Sequence, residues 1–80
     1  DLSVFPNPTN GNFNIRVNGV NEAVKLFVQD ISGQTLKTYY FTGQNQINQS
    51  SFDLSNLPAG IYFISVESNS GSGVTKLIIE

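Results

Sequence analysis

The chain contains no histidine, cysteine, methionine or tryptophan among its 80 residues. Without histidine it lacks the commonest general base near neutral pH and the commonest metal ligand. Its many serines therefore cannot join a conventional Ser-His-Asp triad. Without cysteine there is no disulfide and no thiolate metal site, so packing and hydrogen bonds must hold a small core together. Charge is sparse as well: four basic residues against six acidic ones give a net charge of −2. That balance supplies neither the basic footprint of a nucleic-acid binder nor a polybasic membrane surface. Apolar runs are short, such as Ile61 to Ile64, against the roughly 20 residues of a membrane-spanning helix. No secretory signal opens the sequence. It begins at Asp1 rather than at a methionine, and we read it as one domain cut from a longer protein whose upstream part would carry any such signal.

What is present is a neutral polar background of Asn, Ser, Gln, Thr and Gly, interrupted by alternating apolar residues. Phe13, Ile15 and Val17 share one face, with Asn12, Asn14 and Arg16 opposite. Val24, Leu26 and Val28 repeat the pattern, and so do Tyr62, Ile64 and Val66. Period two means strands with one buried face. No stretch holds an i, i+3, i+4 stripe long enough for a helix. Turn signals fall at Asn7-Pro8-Thr9-Asn10-Gly11, Asn18-Gly19, Ser32-Gly33, Thr42-Gly43, Asn56 to Gly60 and Asn69 to Gly73. Short strands separated this way predict an all-β, antiparallel, immunoglobulin-like sandwich of Greek-key type, as a single domain over residues 1–80. Seven strands are expected, over about residues 2–6, 12–18, 23–30, 35–42, 46–54, 60–68 and 73–80. Two of them are irregular. In Thr35 to Phe41 the alternation breaks, with Leu36 and Tyr40 on one face and Tyr39 and Phe41 on the other, which a bulge or a two-faced strand would explain. The stretch around Ile47, Phe52 and Leu54 is poor in apolar groups and reads as an edge strand, with a bulge to bring Ile47 into phase.

Each candidate for chemistry has a structural explanation. Asp30 precedes Ile31-Ser32-Gly33, and an Asp at a turn start caps free backbone N–H groups. Calcium held by Asp30 and Asp53 would need six or more oxygens, and no calcium-loop pattern supplies them. Nothing calls for a metal or a cofactor, and no spacing of acids suggests a catalytic pair, so the chain reads as a non-enzyme. Asn48-Gln49-Ser50 matches the short N-glycosylation pattern. The aromatics of Thr38-Tyr39-Tyr40-Phe41 could stack on a sugar or a partner, but a small sandwich needs them as core. Pro6 and Pro8 flank Asn7 and end the first strand, because each removes a ladder donor and restricts the residue before it. Gly11 can then take φ > 0. In Leu57-Pro58-Ala59-Gly60-Ile61-Tyr62, Leu57 would plug the sandwich end, Pro58 would stiffen the turn and Gly60 would supply an unusual dihedral. Tyr62 fits a tyrosine corner, its hydroxyl bonding back to the backbone.

Taken together these stretches resemble the type A C-terminal sorting domain of the type IX secretion system, found on secreted proteins of the Bacteroidetes. The matching elements are Pro6-Asn7-Pro8 with Gly11 and Phe13, Asp30-Ile31-Ser32-Gly33 followed by Gln34-Thr35-Leu36, Leu54 to Tyr62 including Leu57 and Gly60, and the closing Lys76-Leu77-Ile78-Ile79. They span nearly the whole chain. The family often carries paired basic residues before the last apolar run, whereas here Thr75 precedes Lys76 alone.

The resemblance implies an address label on an N-terminal cargo protein. Cargo would reach the periplasm by its own signal, and the folded domain would be bound by the outer-membrane translocon. A surface sortase would then remove the domain and attach the cargo to anionic lipopolysaccharide at the cell surface, the cut falling at or just before Asp1. In the role that the resemblance implies, the strand Val74 to Ile79, apolar on both faces, would pack one face while the other, or the strand edge, meets the translocon. The alternative is a fibronectin-like spacer or carbohydrate-binding module of an extracellular enzyme.

Overall fold

A computed structural model describes residues 2–17, 23–41, 50–69 and 71–80. Among these residues seven strands follow one another: β1 (Leu2–Phe5), β2 (Asn12–Val17), β3 (Val24–Asp30), β4 (Thr35–Phe41), β5 (Ser50–Asp53), β6 (Gly60–Ser68) and β7 (Gly71–Ile79). Among the described residues there is no helix. The expected turns at Asn18-Gly19 and Thr42-Gly43 lie outside them, as do Ile47, most of the glycosylation pattern and the first part of the fifth expected strand.

The strands form two antiparallel sheets, in the orders β1-β2-β5 and β4-β3-β6-β7. This is the two-sheet division of an immunoglobulin-like sandwich, with β6 in the place of the strand that carries a tyrosine corner. Alternation decides which side chains enter the core. Phe13 and Ile15 come from one sheet; Val24, Leu26, Val28, Tyr62, Ile64, Val66, Leu77 and Ile79 come from the other, all of them buried. Leu54, just past β5, is buried with them, and Leu57 packs against the cluster.

The sandwich is closed differently on its two sides. On one, Phe52 of edge strand β5 reaches the facing edge strand β4. Its ring meets Tyr39 edge-on at 5.0 Å and Phe41 at 6.3 Å, and stacks on Phe13 at 5.7 Å. The core role expected of Tyr39 and Phe41 therefore holds, while Tyr40 faces solvent. This alternation is possible because Leu36 is an extra residue in β4: Val28 pairs with Lys37 and Gln29 with Thr35. The broken pattern in the sequence is this bulge, and it lets Leu36 pack against the core beside Tyr39 and Phe41. On the other side, the chain leaving β1 crosses from the first sheet to the second. Thr9 makes a parallel bridge with Ile79 at the edge of β7.

The last hairpin is tighter than the sequence suggests. Ser68 pairs with Gly71, and Gly73, expected in the turn, lies inside β7 opposite Val66. Gly71, at φ 150°, takes the turn exit in its place.

Candidate functional site

The stretches singled out in the sequence lie far apart along the chain and fold to one pole of the sandwich. The end of β3, the start of β6 and the end of β7 are in register there, with Asp30 opposite Tyr62 and Tyr62 opposite Leu77. Gly60 is opposite Ile79, and Asn12 at the start of β2 is opposite Asp53 at the end of β5. The β1–β2, β3–β4 and β5–β6 connections and the end of β7 therefore meet at one end. Leu2 pairs with Val17 at the other.

Pro6 and Pro8 stop β1 and project Asn7 onto β7. The Asn7 carboxamide donates from Nδ2 to the Lys76 carbonyl at 2.7 Å and accepts at Oδ1 from the Ile78 amide at 3.0 Å. A side chain thus supplies the donor and acceptor that a neighbouring strand would offer. One residue further on, the backbone takes over: Thr9 N–H donates to the Ile78 carbonyl, and Glu80 N–H donates to the Thr9 carbonyl, both at 2.8 Å. The edge of β7 from Lys76 to Glu80 is sealed by the chain's own Asn7 and Thr9.

Thr9 is the residue that sequence reading passed over, noting it only as part of a turn. It is the buried polar residue of the described structure, and its hydroxyl is satisfied twice. Oγ1 donates to the Asn12 carbonyl at 2.6 Å and accepts from Gly11 N–H at 3.1 Å. The available signal was a Thr two residues before a Gly, the spacing at which a hydroxyl bonds locally to the backbone. Gly11 follows at φ 116°. Its carbonyl accepts from Leu54 N–H at 2.7 Å, and a Cβ placed on it would come within 2.5 Å of Ser55 Cα. Glycine is required there by backbone approach as well as by dihedral.

Asp30 caps its turn as expected. Oδ1 accepts from Ser32 Oγ at 2.6 Å, Ser32 N at 2.9 Å and Gln34 N at 3.0 Å. The Ser32 hydroxyl is the leading cause that holds the exposed carboxyl below its ordinary pKa; desolvation opposes it, and the backbone amides of Gln34, Ser32 and Gly33 each add a smaller lowering. Gly33, at φ 89°, carries the left-handed step and donates to the Asp30 carbonyl. At Asp53 the Ser55 hydroxyl and amide likewise lower the pKa, the amide at 2.9 Å.

The corner between β5 and β6 is a tyrosine corner. Tyr62 is 7% exposed, and its hydroxyl donates to the Pro58 carbonyl at 2.6 Å. The expectation for Gly60 does not hold. Among the described residues the glycines with positive φ are Gly11, Gly33 and Gly71, whereas Gly60 opens β6 in register with Ile79. A Cβ there would lie 3.9 Å from the Tyr62 ring, an ordinary contact. The turn is closed instead by the Tyr62 hydroxyl and by Leu57 N–H on the Leu54 carbonyl at 3.0 Å.

Lys76, Leu77, Ile78 and Ile79 divide between the two faces of β7. Leu77 and Ile79 are buried, Lys76 is exposed and Ile78 is half-buried on the outer face. Among the described residues no group of three or more acids, histidines or cysteines could hold a metal ion. The pole is an arrangement of backbone clamps and outward side chains.

The family model for the secretion system C-terminal sorting domain matches residues 3–80, nearly the whole chain. A search of curated proteins returned no match.

Proposed function

The chain belongs to the secretion system C-terminal sorting domain family, and from that premise we propose that it is read as a folded address label, with the signature pole as the label. Membership makes it a sorting signal of type IX secretion, a role that is not itself catalytic, and one that takes the protein carrying it to the cell surface or beyond. The finer steps are our reading. Cargo crosses the inner membrane by its own signal and waits in the periplasm. The outer-membrane translocon binds there the pole that Pro6, Asn7, Pro8, Gly11, Asp30, Gly33, Leu57, Gly60, Tyr62 and the closing Lys76 to Ile79 build, with the buried Tyr62, Leu77 and Ile79 shaping it from within the core. A surface sortase then cuts at or before Asp1.

The observation that carries this reading is the convergence of four separated sequence stretches on one end of the sandwich. A spacer needs only a stable core, and core packing alone does not require Asn7 and Thr9 to be tied to the end of β7. The start of β1, ahead of which cargo would be joined, lies at the opposite pole, since Leu2 pairs with Val17. The test is a reporter carrying a periplasmic signal and fused ahead of residues 1–80, expressed in a type IX-competent host. Reporter at the cell surface or in the medium supports the reading; reporter stalled in the periplasm overturns it. Deleting Lys76 to Glu80 from the fusion should abolish export.

A further inference from the structure

The two sheets present unlike outer faces. That of β1-β2-β5 is polar, with Ser3 beside Arg16, Asn14 beside Ser51 and Asn12 beside Asp53. Its aromatic group, Phe5, lies under the Arg16 guanidinium at 5.3 Å. The outer face of β4-β3-β6-β7 is different. Ile61 pairs with Ile78, Phe63 with Lys76 and Ser65 with Val74, while Phe27 neighbours Ser65 from β3. Ile61 is 45% exposed and Val74 64% exposed. Tyr62, Ile64, Leu77 and Ile79 account for the core contribution of β6 and β7 at this pole, so packing gives no reason for Ile61 and Ile78 to be apolar.

We infer that this outward apolar face of β6 and β7, centred on the Ile61–Ile78 pair, is the surface by which the type IX export machinery grips the domain. The inference rests on the sorting role proposed above. Two features select that occupant. The β7 edge from Lys76 to Glu80 is already taken by Asn7 and Thr9, so a partner cannot add a strand there without displacing them. A second copy stacked on it is poorly served too. With molecular extents of 33 and 22 Å, the whole flat face measures about 700 Å², and its apolar part is only a strip, against about 800 Å² per partner in a standard interface. A larger receptor can engage the strip together with the pole. Its complementary surface would be an apolar groove carrying a carboxylate for Lys76, which stands on this face between Val74 and Ile78.

The test uses the reporter fusion with Ile61→Thr and Ile78→Thr combined, which keeps β-branched side chains while removing the apolar surface. Val74→Thr serves as a second, more exposed change, and Ser3→Thr on the opposite sheet as the control. Loss of two anchors of this kind should cut secreted reporter at least about tenfold. The purified double variant should keep its thermal midpoint within a few degrees, and Ser3→Thr should secrete normally. If the double variant unfolds, a smaller loss of export by folded Val74→Thr supports the inference in its place. Normal secretion by a folded double variant overturns it. So does a purified wild-type domain that sediments as a dimer, with the double variant monomeric and still exported. Failure of the unaltered fusion to leave the periplasm would instead remove the sorting role on which the inference stands.

Discussion

The carboxamide of Asn7 accepts a hydrogen bond from the backbone amide of Ile78, 71 residues downstream, at 3.0 Å. The same group donates to the Lys76 carbonyl at 2.7 Å, so one side chain brackets the outer edge of the last strand. The geometry demands a donor and an acceptor together, which a carboxylate cannot supply when ionised. Asn7→Ala removes both bonds and should cost about 1–2 kcal/mol. In a domain of this size that is a fall of roughly 4–15 °C in thermal midpoint. Asn7→Asp should be worse at neutral pH, because an ionised oxygen would face the Lys76 carbonyl, and should recover in acid, where the protonated carboxyl can donate again. Thermal melts across pH check the order, and amide exchange at Ile78 should quicken in both variants.

Gly11 and Gly33 both take positive φ, but only Gly11 is crowded. A Cβ at Gly11 would lie 2.5 Å from Ser55 Cα and 2.7 Å from Ser55 N, while at Gly33 it would meet nothing within 4 Å. Gly33→Ala should therefore cost only the left-handed backbone penalty, about 1–2 kcal/mol. Gly11→Ala adds a backbone collision that no rotamer relieves, and should cost about 3 kcal/mol or more. Urea unfolding of the two variants gives the comparison. Equal losses would show that the 54–56 segment moves aside freely.

Tyr62→Phe keeps the ring in the core and deletes the donor to the Pro58 carbonyl at 2.6 Å. The expected loss is about 0.5–1.5 kcal/mol, with export unchanged while the domain stays folded. Export that fails while the melting temperature holds would mean that Tyr62 itself is read by the machinery.

The strands were legible because each buries one face, and a period of two survives in Val24 to Val28 and Tyr62 to Val66 without knowledge of the partner strand. A fault in that period was legible between Thr35 and Phe41, open to a bulge or a two-faced strand, and strand pairing places it as a bulge at Leu36. The Asp30 cap and the Tyr62 corner were legible because both close loops of a few residues, where local chemistry decides. The clamp between Asn7 and β7 was not. Nothing in Pro6-Asn7-Pro8 names a partner 71 positions away, and the pattern of β7 encodes which side chains are buried, not what covers its edge. Thr9 was missed for the same reason, and the crowding of Gly11 by Ser55 depends on a contact between loops of different strands. The strand start at Gly60 was legible, but not its ordinary dihedral, because a glycine after Pro-Ala also reads as a turn residue, whereas here it is already paired with Ile79. The separated stretches of the signature could be recognised in sequence, but their meeting at one pole comes from strand order.

Acid should expose the contribution of the turn caps. The Asp30 carboxyl, held below its ordinary pKa first by the Ser32 hydroxyl and then by backbone amides, binds its proton less readily in the folded chain than in the unfolded one. A depressed folded pKa means that the cap stabilises the fold fully above the unfolded carboxylate pKa, and that this stabilisation fades as pH falls through the folded value. The Asp53 carboxyl, held down by Ser55, acts in the same direction. Thermal stability should therefore be nearly flat around neutrality as far as these groups are concerned, and decline only on the acid side. Ser32→Ala removes the leading cause at Asp30, so the Asp30 carboxyl should titrate closer to its ordinary range in carbon-detected NMR. The acid decline of this variant should be shallower, starting from a lower neutral plateau. An Asp30 titration unchanged by Ser32→Ala would assign the depression to the backbone amides of Ser32, Gly33 and Gln34 alone.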